Sequence, residues 1–142
     1  MVNKGFTLIE LLVVVAIIGL LSTIVWINTH DVRFKAQDAN IQSLMHQLRN
    51  AVEFVYAQSG ENYDLVCDET NNTLNNNGEV GILERAIMKE NGYENITCFE
   101  SADKRDFAAA SALRSQSGKY WCIESAGASV EINNQITAAI CQ

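Results

Sequence analysis

One carboxylate stands inside the longest apolar run of this sequence. Residues 4–27, KGFTLIELLVVVAIIGLLSTIVWI, hold a single acidic side chain, Glu10, one helical turn beyond Phe6. A charge at the centre of a membrane span costs roughly 2.5–3.5 kcal/mol on insertion scales, so Glu10 needs a partner. A second set of reactive side chains is made of four cysteines, Cys67, Cys98, Cys122 and Cys141. Structural zinc sites bring their ligands in close pairs, whereas these cysteines stand roughly 20 to 30 residues apart. They read as a disulfide framework, which an extracytoplasmic location permits. Four cysteines allow three pairings. Cys67–Cys98 with Cys122–Cys141 is favoured, because each bond closes a local segment and would add roughly 3–4 kcal/mol in the chain-entropy model.

No catalytic constellation emerges. Ser, His and Asp are present, but nothing resembles a nucleophile elbow, a phosphate-cradling glycine loop or a helical metal motif. Glu84, Glu90, Glu94 and Glu100 read as an acidic surface rather than an acid/base pair, and no enzyme activity is expected. His30 and His46 are too far apart for a helical ligand pair and read as solvent-exposed. The stretch DETNNTLNNNGE sets Asp68, Thr70, Asn72, Asn76 and Glu79 loosely like a calcium loop. Thr73 takes the place of the required glycine, so the reading is a solvated loop with no metal and no cofactor. Asn71-Asn72-Thr73 and Asn95-Ile96-Thr97 fit the glycosylation acceptor pattern.

The elements that must position these residues follow from periodicity. Among the 142 residues the formal charge is −7, with the acidic excess after residue 60. That balance argues against nucleic acid as a specific partner. Lys104, Arg105, Arg114 and Lys119 form the nearest approach to a basic cluster. The apolar run is long enough to span a bilayer, and Lys4 before it favours a cytoplasmic start. No small-x-small site closes the run, which separates it from a secretory signal. Beyond it, Ile41, Leu44, Met45, Leu48, Val52 and Val55 recur at three and four, the pattern of an amphipathic helix. Proline is absent, and Ser59-Gly60 is a stop signal. One helix over 6–58 would be roughly 80 Å long. Gly19 to Ser22 is its weakest stretch by propensity. Residues 60–78 read as a polar loop, and EVGILERAIMKENGY as a short helix ended at Asn91-Gly92. Three strands are predicted near 107–113, 119–125 and 129–132. A helix on a small antiparallel sheet is an α+β arrangement.

KGFTLIELLVVVAIIGLL resembles the prepilin amino terminus shared by type IV pilins and the pseudopilins of type II secretion. The shared features are a short basic leader ending at Gly5, the aromatic Phe6, and Thr7-Leu8-Ile9-Glu10-Leu11-Leu12. KYWCIESAGASVEI looks, more loosely, like the carboxy-terminal strand pair of some pilins. The resemblance implies cleavage after Gly5 and methylation of the new amine on Phe6 by a prepilin peptidase and methyltransferase. It implies a subunit held in the inner membrane as a single pass, then polymerised into an extracellular surface filament. A neighbouring subunit's Phe6 amine would neutralise Glu10, and an unpaired Glu10 would penalise packing out of register. The partners implied are copies of the chain itself, minor pilins and an inner-membrane assembly platform. Many type IV pilins carry a proline near the position of Ile27, where the helix loosens; its absence shifts any loosening toward Gly19–Thr23.

The organisation expected is a leader at 1–5 and a membrane and filament-core helix at 6–29. An amphipathic continuation at 30–59 and a disulfide-stapled head at 60–142 would follow. Two alternatives stand beside a type IV pilus subunit. A pseudopilin of type II secretion shares the amino terminus but usually carries an acidic calcium site near its carboxy end, which Glu131 alone does not make. The other is a membrane-tethered binding domain that never polymerises.

Overall fold

The computed structural model describes residues 5–68, 70–75 and 77–142; the side chains of residues 24–30 are not described. Expectations placed on Lys4, Ile27, His30 and Asn76 therefore fall outside the described residues. The chain divides into two compact units, Met1–Phe34 and Lys35–Gln142. Helix α1 spans Leu8–Gln58 and contributes to both. It begins two residues later than predicted, because Thr7 caps it.

In the second unit, Ile41, Met45, Leu48 and Val52 of α1 are fully buried. Their spacing of four, three and four puts them on one helix face. Polar side chains along the same stretch fix that face to the sheet. Asp38, only 7% exposed, accepts the backbone N–H groups of Arg114 at 2.5 Å and Ser115 at 3.1 Å. Arg49 donates to the carbonyl of Gly127 at 2.9 Å, and the Tyr63 hydroxyl donates to Glu53 at 3.1 Å.

Among the described residues six strands form one antiparallel sheet in chain order: β1 (Cys67–Asp68), β2 (Thr73–Leu74), β3 (Thr97–Glu100), β4 (Phe107–Ala112), β5 (Tyr120–Glu124) and β6 (Ser129–Ile132). The α+β fold is as predicted, and the last three strands lie where the alternation placed them. The three-stranded sheet is not, since the sheet has twice that number. Of the missed strands, β1 and β2 have two residues each and lie inside the polar loop, too short to show a period of two. The third, β3, is as long as β6 and was simply overlooked. Central β4 (FAAASA) is buried on both sides. Phe107 and Ala109 meet the core that holds α1 and the short helix α2 (Gly78–Asn91). Ala108 and Ala110 face a second cluster, with Cys122, Ile132 and Ile136. The chain after β6 covers that second side, where Gln135 donates to the Thr97 hydroxyl.

Gly92 ends α2 in the left-handed region, at φ 90°. A Cβ added there would fall on the Arg114 guanidinium. Buried Asn91 ties the same corner to β4 through Ser111 at 3.1 Å. Gly92→Ala is expected to destabilise the head by about 1–2 kcal/mol, from left-handed strain alone. A lower denaturant midpoint with an unchanged slope is the measurement that checks this.

Candidate functional site

Glu10 sits in the first turn of α1, and the structure shows what its carboxylate does in the single chain. The Thr7 backbone N–H donates to Glu10 Oε2 at 2.8 Å, and the Thr7 hydroxyl donates to the same oxygen at 2.7 Å. In return the Glu10 N–H donates to Thr7 Oγ1 at 3.3 Å. This reciprocal pattern is a capping box, with Thr7 as N-cap and Glu10 at the third helical position. Thr-x-x-Glu before an apolar run is its sequence signature, so this partner of Glu10 was readable in advance. One carboxylate oxygen is thereby engaged locally, and the group stays exposed.

Gly5, Phe6 and Thr7 precede the helix and are exposed, Phe6 at 77%. Neither a positive φ nor a close contact requires glycine at position 5, since an added Cβ would meet nothing within 4 Å. From Leu8 to Leu21 every large apolar side chain is exposed. A helix with apolar side chains uncovered on all sides has to be buried by something other than its own chain. Among the described residues, however, no helix is long and apolar enough to cross a membrane. The sequence run continues through Ile24, Val25, Trp26 and Ile27, where side chains are not described. Gly19 to Thr23 remains helical, with the Ser22 hydroxyl donating to the Ile18 carbonyl at 2.7 Å and that of Thr23 to Leu20 at 2.8 Å. Such bonds back onto the preceding turn weaken and bend helices.

In the head, Cys67 is bonded to Cys98 and Cys122 to Cys141, with Cα atoms 5.5 and 5.7 Å apart. His46 is exposed, with its ring edge-on to Trp121 at 6.3 Å and Nε2 3.4 Å from Ser129 Oγ. The Asp68 carboxylate accepts from the Thr70 N–H at 2.8 Å and from Asn71 Nδ2 at 3.2 Å, closing its own turn. Among the described residues no three His, Cys, Asp or Glu side chains are grouped to hold a metal ion.

The acidic surface is a correction. Glu84 is only 4% exposed on the inner side of α2, and its Oε2 has no hydrogen-bond partner among the described residues. Burial pushes its carboxyl above the usual range, opposed by the adjacent Arg85. The Glu100 side chain is 3% exposed and pairs with Lys104 at 2.8 Å. Glu84 follows Val80 by four and precedes Ile87 by three, which put it on the buried face of α2; charge alone suggested the surface.

Comparison with known proteins adds three findings. Residues 1–26 match the family model of the prokaryotic N-terminal methylation motif. Over 72 residues the chain is 36% identical to the type IV major fimbrial protein FimA of Dichelobacter nodosus. That stretch covers 51% of this chain and 46% of FimA, so the chain spans about half the length of the curated relative it matches. No solved structure matches the chain.

Glu84 provides a test within the head. Its folded-state pKa is raised, so the stability it allows is fully present below the unfolded carboxyl's pKa and lost as pH rises through the folded one. Glu84→Gln is therefore expected to match the native chain in acid and to exceed it at neutral pH. Denaturation midpoints across that range check the sign.

Proposed function

We propose that this chain, whose residues 1–26 match the prokaryotic N-terminal methylation motif and which is similar over 72 residues to a type IV major fimbrial protein, is a type IV pilin and a structural subunit of a type IV pilus. The single observation that carries the reading is the uncovered apolar helix with one carboxylate, Glu10, four residues after Phe6. Gly5 supports the proposed cleavage. Among the described residues no contact asks for glycine there, which leaves the position open to a requirement set by a peptidase. A prepilin peptidase would cut after Gly5 and methylate the new amine on Phe6. Before assembly, residues 6–29 would lie in the inner membrane, with the Thr7 cap satisfying part of the Glu10 charge. On extraction, a neighbouring Phe6 amine would pair with Glu10, and the apolar helices would bury one another in the filament core. The charge pair costs least when the helices are in register, so Glu10 would select the register as well as stabilise it.

The pseudopilin reading shares every step up to assembly and differs in the product, a short periplasmic filament. Electron microscopy of sheared surface material separates the two, because only a pilus subunit yields surface fibres.

Two further outcomes are expected. Glu10→Val leaves the precursor cleaved and membrane-inserted while filaments disappear; normal filaments in that variant would contradict the pairing role. Mass spectrometry of native filaments finds methylated Phe6 at the amino terminus, and Gly5→Leu leaves a precursor heavier by residues 1–5 and unmethylated.

A further inference from the structure

A β-strand puts residues i and i+2 on one face. On β3 these are Cys98 and Glu100, and on β5 they are Cys122 and Glu124. Both cysteines are bonded to a segment from elsewhere in the head, Cys98 to Cys67 and Cys122 to Cys141. In both cases the glutamate two residues along the strand accepts the backbone N–H of the bonded partner. Cys67 donates to Glu100 Oε1 at 2.7 Å, and Cys141 donates to Glu124 Oε2 at 2.6 Å. Each incoming cysteine is thus held twice by one strand face, once through sulfur and once through a charge-assisted hydrogen bond.

The two arrangements occupy opposite faces of the sheet. Cys98 packs in the core beneath α1 and α2, whereas Cys122 packs in the cluster covered by the chain after β6. Glu100 is buried and aligned, with Lys104 on its other oxygen. Cys67 is itself followed by Glu69 at the same interval, a residue outside the described ones.

We propose that Cys-x-Glu at 98–100 and 122–124 is a pairing device: the glutamate captures the backbone N–H of the correct partner cysteine and so selects which sulfurs join. An ionised carboxylate needs no native core to accept an amide, so it acts while the sulfurs are still free. The sheet then separates the two choices, because the wrong partner would have to cross to the other face. Closure itself is thiol–disulfide exchange with a disulfide oxidant. One protein thiolate attacks the oxidant and releases its first thiol, forming a mixed disulfide. The captured cysteine's thiolate then attacks the protein sulfur and releases the second thiol. Two protein thiols are oxidised, and one oxidant disulfide is reduced to two thiols. Glu100 and Glu124 touch none of the reacting sulfurs in this step; they are positioning residues.

The test uses the full chain in detergent, reduced and unfolded, then reoxidised with glutathione disulfide after the denaturant is diluted. Alkylation at early times, followed by non-reducing peptide mapping, counts the species that hold a single disulfide. In the native chain Cys67–Cys98 and Cys122–Cys141 should dominate. Glu124→Ala should deplete the Cys122–Cys141 species alone by about tenfold, the factor of one charge-assisted hydrogen bond, and Glu100→Ala the Cys67–Cys98 species alone. Glu124→Gln keeps an acceptor oxygen at the same reach without the charge and should restore part of the yield, to about a third of the native level. Asp38→Ala, which loosens the head without touching either disulfide segment, should leave the distribution unchanged. An unaltered distribution in both glutamate-to-alanine variants overturns the proposal. So does an equal loss of both bonds in each, or the same shift in Asp38→Ala.

Discussion

Ile41, Met45, Leu48 and Val52 need an apolar surface to bury against, and the sheet's inner face, through Phe107, Ala109 and Ile123, needs the same. That mutual burial fixes where every other group of the head can be. Because the stripe sets the helix rotation, Asp38, Arg49 and Glu53 reach the β4–β5 turn, Gly127 and Tyr63 from defined positions along one flank. Hydrogen bonds of this kind, to charged groups, contribute about 1.5–3 kcal/mol each, and they leave costly unpaired groups if the helix slides. The apolar seam supplies the energy, and the polar flank supplies the register.

The first unit presents the opposite situation. From Leu8 to Leu21 its large apolar side chains are exposed, and the Glu10 carboxylate among them is served by a neighbouring threonine instead of an opposite charge. The second unit buries its apolar side chains within itself, and the first leaves its own uncovered.

Much of this was legible in the residues. The period of 3.6 over 41–55 placed the helix face, and the runs around 107–132 placed three strands. Asn91-Gly92 placed the end of α2, whose φ of 90° calls for glycine. Two-residue strands leave no alternation to read, so β1 and β2 depend on tertiary contacts that a linear pattern does not carry. Glu84 and Glu100 were misjudged for a related reason. Charge argues for solvent, and only the fold reveals that Lys104 reaches one of them and that no described residue bonds Oε2 of the other. Thr7 illustrates the reverse: Thr-x-x-Glu before an apolar run is legible as a capping box, yet the charge of Glu10 pointed to a distant partner instead.

The disulfides have a consequence beyond stability. The bond from Cys67 to Cys98 spans the polar loop and α2, and that from Cys122 to Cys141 spans β6 and the chain after it. A protease that cuts the backbone once inside either span separates no fragment, because both cut ends stay covalently joined to the sheet. The second unit can thus be nicked once inside either span without losing a residue from the molecule.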